Sequence, residues 1–266
     1  MMAALTKRSK TRDALWLRAL PTASVLLFLV LWEAVVRLRG ITPIVLPAPS
    51  AILDYLLTMI LDGSIPYNLG VTFLRIVVGF LIAGSLGILV GILMGMSRVV
   101  ARVLDPWIAA LYPLPKISLI PLLIIWLGTG EIYIITISVV SAFFPVVIST
   151  YVGIRQADQN LVRAARDLGA NARQIQMKVI VPAAIPSIFA GLQLGMGVTI
   201  ILVVAAEMIG GSTQSGMGYL LIRYGQVMET EKVFAGLIVL AVFGAIIIKT
   251  QGYIERLIAP WAAGKD

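Results

Sequence analysis

The chain contains no cysteine and no histidine, and only 13% of its 266 residues are charged. Without thiols or imidazoles there is no disulfide framework, no zinc finger and no haem or copper site of the usual kind. Catalysis by Ser-His-Asp or Cys-His pairs is excluded on the same ground. A soluble chain carries about 25% charged residues, so this one has too little polar surface to clothe a water-soluble globule. Apolar residues make up 59% of it, and the mean hydropathy is +0.98. The chain reads as an integral membrane protein. In a soluble protein its net charge of +8 would point to nucleic acid. In a bilayer the anionic lipid of a cytoplasmic leaflet is the natural partner, and no nucleic-acid role is expected.

A spanning helix needs about 20 apolar residues, and six stretches meet or approach this: 19–36, 69–95, 107–127, 132–152, 185–206 and 233–248. None alternates apolar and polar positions as a membrane β-strand does. The first stretch is followed by Arg37 and Arg39 rather than by a small-residue cleavage site, so it is not read as a cleaved signal peptide. The pattern predicts one all-α membrane domain over 19–250, with a basic segment 1–18 before it and a tail 251–266 after it. With the N-terminus inside, the inner segments hold fifteen Lys/Arg and the outer ones four, while Arg75 and Lys116 lie near segment ends. Such an excess marks the cytoplasmic side, so both termini are expected in the cytoplasm.

Two connections exceed what a turn needs. The outer one, 40–68, contains Pro43, Pro47, Pro49 and Pro66, and its 50–57 stretch reads as a short helix capped by Ser50. The inner one runs over about 153–182. From Asn160 its apolar residues Leu161, Ala164, Ala165, Leu168, Ala172, Ile175 and Val179 recur at helical spacing, with Arg163, Arg166, Asp167, Arg173 and Lys178 between them. This predicts an amphipathic helix interrupted at Gly169 and ended by Pro182. Two readings of it stand side by side. It is an interfacial helix lying on anionic headgroups, or a docking helix whose close-approach face is formed by Ala164, Ala165 and Gly169.

Within the spans, small residues recur every fourth position at Gly79, Ala83, Gly87, Gly91 and Gly95, and again at Gly191 and Gly195. Stripes of this kind let another helix approach backbone to backbone, within the chain or in a second copy. The third span carries Pro106, Pro113, Pro115 and Pro121 with Lys116 among them. Broken backbone at membrane depth must be buried in protein or line a watery cavity. Lys116 therefore reads either as snorkelling to the interface or as part of a gate. Glu33 stands four residues before Arg37, a local ion pair. Glu207, near the outer end of the fifth span, is a candidate path residue or a brace for the turn Gly210-Gly211. The nearest approach to a phosphate-cradling G-x-x-x-x-G-K-[ST], Gly244 to Lys249-Thr250, has Ile248 where the second glycine belongs. No nucleotide site is expected in this chain.

Arg163-Ala164-Ala165, Gly169 and Val179-Ile180-Val181-Pro182 together resemble the EAA loop of ATP-binding-cassette importer permeases, with Arg163 at the usual Glu position and Val181 at the usual Leu. The likeness extends over about 47–261. Leu46-Pro47-Ala48-Pro49-Ser50, Tyr112-Pro113-Leu114-Pro115-Lys116, Trp126-Leu127-Gly128-Thr129-Gly130-Glu131, Phe143-Phe144-Pro145, Ala205-Ala206-Glu207-Met208 and Gly216-Met217-Gly218-Tyr219 are similar, in order, to the nitrate/sulfonate/taurine branch. The resemblance implies a six-helix type I importer transmembrane domain in a bacterial inner membrane. It implies a second permease copy, cytoplasmic ATP-binding-cassette ATPase subunits that bind ATP and Mg, and an extracytoplasmic solute-binding protein. It also implies that Arg163, Ala164, Ala165, Asp167, Leu168, Gly169 and Pro182 belong to an ATPase-coupling loop. The solute would be a small anion, a sulfonate or taurine first and nitrate next, moved by alternating access without catalysis in this chain. The rival is a stand-alone ion-coupled transporter, which would need an ionisable relay near the midplane.

Overall fold

The computed structural model describes residues 2–210 and 214–261, with side chains from Leu20 onward. Gly211 and the basic side chains of 1–18 lie outside this description. Among the described residues there are helices and no strands. They are α1 (Met2–Arg39), α2 (Pro49–Leu61), α3 (Ser64–Met96), α4 (Arg98–Leu111), α5 (Ile120–Leu127), α6 (Glu131–Arg155), α7 (Gln159–Asp167), α8 (Ala172–Ile175), α9 (Val181–Gly210), α10 (Met217–Gln226) and α11 (Thr230–Ile258). Five helices are long and apolar enough to cross a bilayer, six when α4 and the Lys116–Leu127 segment are taken as one span bent by 87°. The sixth apolar stretch, short in sequence at 233–248, is completed by flanking residues on both sides to give α11.

The bundle is organised around α6, which packs along its length against both α3 and α9. On α3 the stripe Gly79, Gly87, Gly91 and Gly95 faces Ser138, Val146, Thr150 and Ile154 of α6, and Ala83 is buried within it. Partner numbers rise in step with the glycine numbers, so the two helices run parallel and in fixed register. The approach leaves no room for side chains: a Cβ on Gly91 would sit 2.5 Å from the Thr150 Cβ. Against α9 the order reverses. Gly191 meets Ser149, Gly195 meets Ala142, and Gly153 of α6 meets Ser187, so this pair is antiparallel. The small-residue stripes are thus placed on seams inside one chain.

The buried core follows from this sandwich. Ile76, Ile134, Ile137, Val203 and Ala206 are fully enclosed, with Ile120 and Leu123 of α5 closing one side. A second cluster, Ile52, Met59, Ile65, Leu220 and Ala235, joins α2, the start of α3, α10 and α11 at one end. A third, Ile154, Ala184 and Ile188, sits toward the α7 end. α1 lies outside the sandwich, and only 6% of its apolar window is buried against 50% for α6. Glu33 and Arg37 of α1 form the expected pair and are joined by Ser50, whose backbone N–H donates to Glu33 Oε2 at 3.0 Å. Ser50 is therefore not the cap of α2. Ala48 stands at that position in extended backbone, and Pro49 supplies the first-turn φ.

Alanine at Gly91 should destabilise the protein by about 1–3 kcal/mol through overpacking. Alanine at Gly197, where an added Cβ meets nothing within 4 Å, should change stability by less than about 1 kcal/mol. Melting of the two variants in detergent checks the pair, and equal shifts would show that the α3–α6 seam is not close-packed.

Candidate functional site

One buried charge cluster ties α3, α6, α9 and the start of α10 together. Arg75 sits in the first half of α3, with its side chain 2% exposed. Its Nε and Nη2 donate to the two oxygens of Glu131, the first residue of α6, at 2.7 and 2.6 Å. Its Nη1 donates to Glu207 Oε1 of α9 at 2.7 Å and to the Ser215 carbonyl at 3.0 Å. Glu207 is fully enclosed, and its carboxylate also takes the Gly218 N–H at 2.9 Å and the Thr72 hydroxyl. Thr72 in turn accepts the Met217 N–H at 2.8 Å, and Asn68 accepts the Gly216 N–H at 2.7 Å. The Glu207 carboxyl group thus stands at the amide-rich first turn of α10, where the helix dipole favours negative charge. Gly216, at φ +104, approaches so closely that a Cβ would lie 2.4 Å from the Glu207 carboxyl group.

Glu207 braces the 216–218 turn, while Gly210 packs under the Tyr133 hydroxyl, which donates to the Ala206 carbonyl at 3.0 Å; Gly211, the other half of the turn expected for Glu207, lies outside the described residues. The partner Arg75 was missed in the sequence because 132 positions separate the two residues. The available signal was a lone arginine in an otherwise apolar helix, which demands a counter-charge. Both carboxylates of the cluster are engaged by Arg75.

Lys116 lies elsewhere. Its ammonium donates to the Tyr112 carbonyl at 2.9 Å and stands 5.2 Å from the Tyr112 ring centre and 5.5 Å from that of Phe144. Phe144 is next to the midpoint of α6, about 16 Å along that helix from Tyr133 at 1.5 Å per residue. The two candidate path residues are therefore not neighbours. The ammonium is held beside the middle of α6 rather than at either end of that helix.

The 153–182 connection forms the end of the bundle remote from the Arg75 cluster. α6 ends at Arg155, and Asp158 opens α7 by accepting the Asn160 N–H at 2.8 Å. α7 turns Leu161, Ala164 and Leu168 outward, Leu168 with 89% of its surface free, while Val162 and Ala165 are half-buried. Arg163, Arg166 and Asp167 are exposed around this face. Gly169, at φ +84, ends the helix in left-handed backbone that favours glycine. Asn171 and Gln174 then form a reciprocal capping box that starts α8. Pro182 does not end the segment. The helix continues through a π turn, Gln176–Ile180, into α9, with Pro182 in its first turn. The wider turn absorbs the donor that proline lacks. A cavity of about 390 Å³ lined by Gly95, Met96, Ile154, Arg155, Gln159, Gln176 and Ile180 lies beside this turn.

Comparison with known proteins agrees with this architecture. The family described as binding-protein-dependent transport system inner membrane component matches residues 83–260. The chain is 35% identical over 246 residues to the putative aliphatic sulfonates transport permease protein SsuC of Bacillus subtilis, covering 92% of this chain and 88% of the relative. It is 34% identical to the taurine transport system permease protein TauC of Escherichia coli, covering 91% and 89%. Among solved structures, the MetNI methionine ABC transporter in inward-facing conformations is similar at a TM-score of 0.58 and 21% identity, over 70% of this chain and 92% of that one.

The charge cluster predicts an order of sensitivities. Arg75→Leu leaves Glu207 enclosed without its cation and should cost about 3–5 kcal/mol. Glu131→Gln, at a side chain 55% exposed, should cost no more than about 1 kcal/mol. Detergent melting of the two variants gives the order, and the reverse order would contradict it.

Proposed function

The chain belongs to the family of binding-protein-dependent transport system inner membrane components, and from that premise we propose that it forms the solute path of an ATP-driven importer. In this reading α7 faces the cytoplasm, as do both termini, and α2 and α10 face outward. A separate ATPase pair docks on α7 and binds ATP and Mg; a second permease copy completes the path; an extracytoplasmic binding protein delivers the solute. The observation that carries the docking role is the outward apolar face of Leu161, Ala164 and Leu168 on α7, surrounded by charge. Such a face in a polar compartment asks for a partner.

The mechanism follows from what is stiff and what is not. α7 is joined to α9 through a four-residue connection at Gly169, then α8 and the π turn. α9 is held to α6 by glycine contacts and to α3 by the Arg75–Glu207 pair. A push on α7 therefore moves α3, α6 and α9 as one body. The α4–α5 segment, broken by 87°, is the compliant element that opens or closes the path at each end, which is alternating access. The substrate-class reading is a small anion, sulfonate or taurine before nitrate, in line with the solutes named for the relatives in Bacillus subtilis and Escherichia coli. The ion-coupled alternative loses its best relay candidate to the pairing of Glu207 with Arg75.

Leu168→Glu should leave folding unchanged, since the side chain is 89% exposed. In the assembled transporter it should lower ATP-driven uptake by about thirtyfold, the size of an interface hot spot. The purified chain alone should hydrolyse no ATP. Full uptake by the variant would refute docking on α7, and hydrolysis by the chain alone would refute the subunit reading.

A further inference from the structure

We propose that Lys116 is the cationic centre of an anion site at mid-membrane depth, formed on the open side of the α4–α5 break. The inference rests on the importer reading and names the residue that meets the charge of its solute. Two cations lie deep among the described spans, and they are treated differently. Arg75 is enclosed and has two carboxylates. Lys116 has no carboxylate partner among the described residues, only the Tyr112 carbonyl and the faces of two rings. An ammonium at this depth is costly unless an anion or water compensates it.

Depth follows from the register. Phe144 stands beside the midpoint of the 25-residue α6, which at 1.5 Å per residue is longer than the roughly 30 Å apolar slab. Neither end of α6 is within reach of the lysine. The backbone beside it adds an independent constraint. Between Tyr112 and Pro115 the chain leaves helical geometry, Pro113 and Pro115 carry no N–H, and residues 111–115 are exposed along with Ile117 and Ser118. Irregular backbone cannot face lipid at this depth; it faces protein or an aqueous cavity. Lys116 thus projects from a segment that needs an aqueous path or a second permease copy next to it, and the anion site takes the aqueous path.

The local chemistry suits an oxyanion. An ammonium carries three donors, and Tyr112 takes one. Two remain, enough for two oxygens of a sulfonate or of nitrate. The Tyr112 and Phe144 rings hold the ammonium in place by cation–π contact and leave its unit charge uncompensated.

The assembled transporter in proteoliposomes tests this with ethanesulfonate as the probe. K116Q is expected to lower ATP-driven uptake about tenfold or more, the loss of one charged hydrogen bond, while K116R stays within about threefold of the unsubstituted protein. S118C, an exposed neighbour that leaves Lys116 in place, in a chain with no other cysteine, is expected to react with the anionic reagent 2-sulfonatoethyl methanethiosulfonate and to be protected by ethanesulfonate. Uptake by K116Q equal to that of the unsubstituted transporter overturns the site and leaves the importer reading standing. So does an S118C that reacts without protection, which makes the lysine a cap for Tyr112 alone, or a folded S118C that the reagent cannot reach. An unsubstituted transporter that hydrolyses ATP and takes up neither ethanesulfonate nor nitrate overturns the anionic-solute reading and the site with it.

Discussion

Close approach of α6 to α3 on one side and α9 on the other is the constraint on which the other features depend. In a bilayer, lipid tails are as apolar as leucine, so helices associate through contact density rather than through release from water. Small residues at every fourth position of α3, glycine at all but Ala83, let Ser138, Val146, Thr150 and Ile154 sink against backbone. α9 does the same with Gly191 and Gly195, and α6 returns the contact through Gly153. The resulting three-helix slab is rigid because each contact fixes the register of the next. α1, with few buried residues, and the bent α4–α5 segment are peripheral to it.

Charge is placed on this slab in two opposite ways. At the α10 end, Arg75 is paired with Glu131 and Glu207, and the cluster knits three helices to a glycine turn, with Gly216 and Gly218 packed tightly against Glu207 and Val204. At mid-depth, Lys116 is left with its charge unbalanced beside backbone that cannot face lipid. The first arrangement stiffens the bundle, and the second is the kind a path uses. The asymmetry also accounts for the mechanical division between a slab that moves as one body and a broken helix that yields.

Much of this was legible in the amino-acid order, and the remainder has identifiable causes. The spans could be read because uncharged apolar runs of bilayer length are rare outside membranes. The glycine stripes announced close packing, but their partners could not be named, since a helical stripe carries no information about which helix faces it. The Glu33–Arg37 pair was visible because it is local; the contribution of Ser50 was not, because a loop brings it there. Glu207 stood out as a buried acid, yet its partner lies on another helix and its brace on the 216–218 turn. Pro182 misled, because a π turn upstream accommodates a proline that in a regular helix would end the segment. The Gly169 break was legible in position, and its left-handed backbone gives the reason.

The central claim is that the α7 end of the slab lies on the ATP-consuming side of the membrane and receives the ATPase there. A single cysteine introduced at Leu168 or at Asp62, in a chain that has none, measures this directly with a membrane-impermeant maleimide on intact cells and on inside-out vesicles. The account predicts that the position-62 cysteine labels from outside, and that the position-168 cysteine labels only in inside-out vesicles and is shielded when the ATPase is bound. Labelling of position 168 from the outside of intact cells would contradict it.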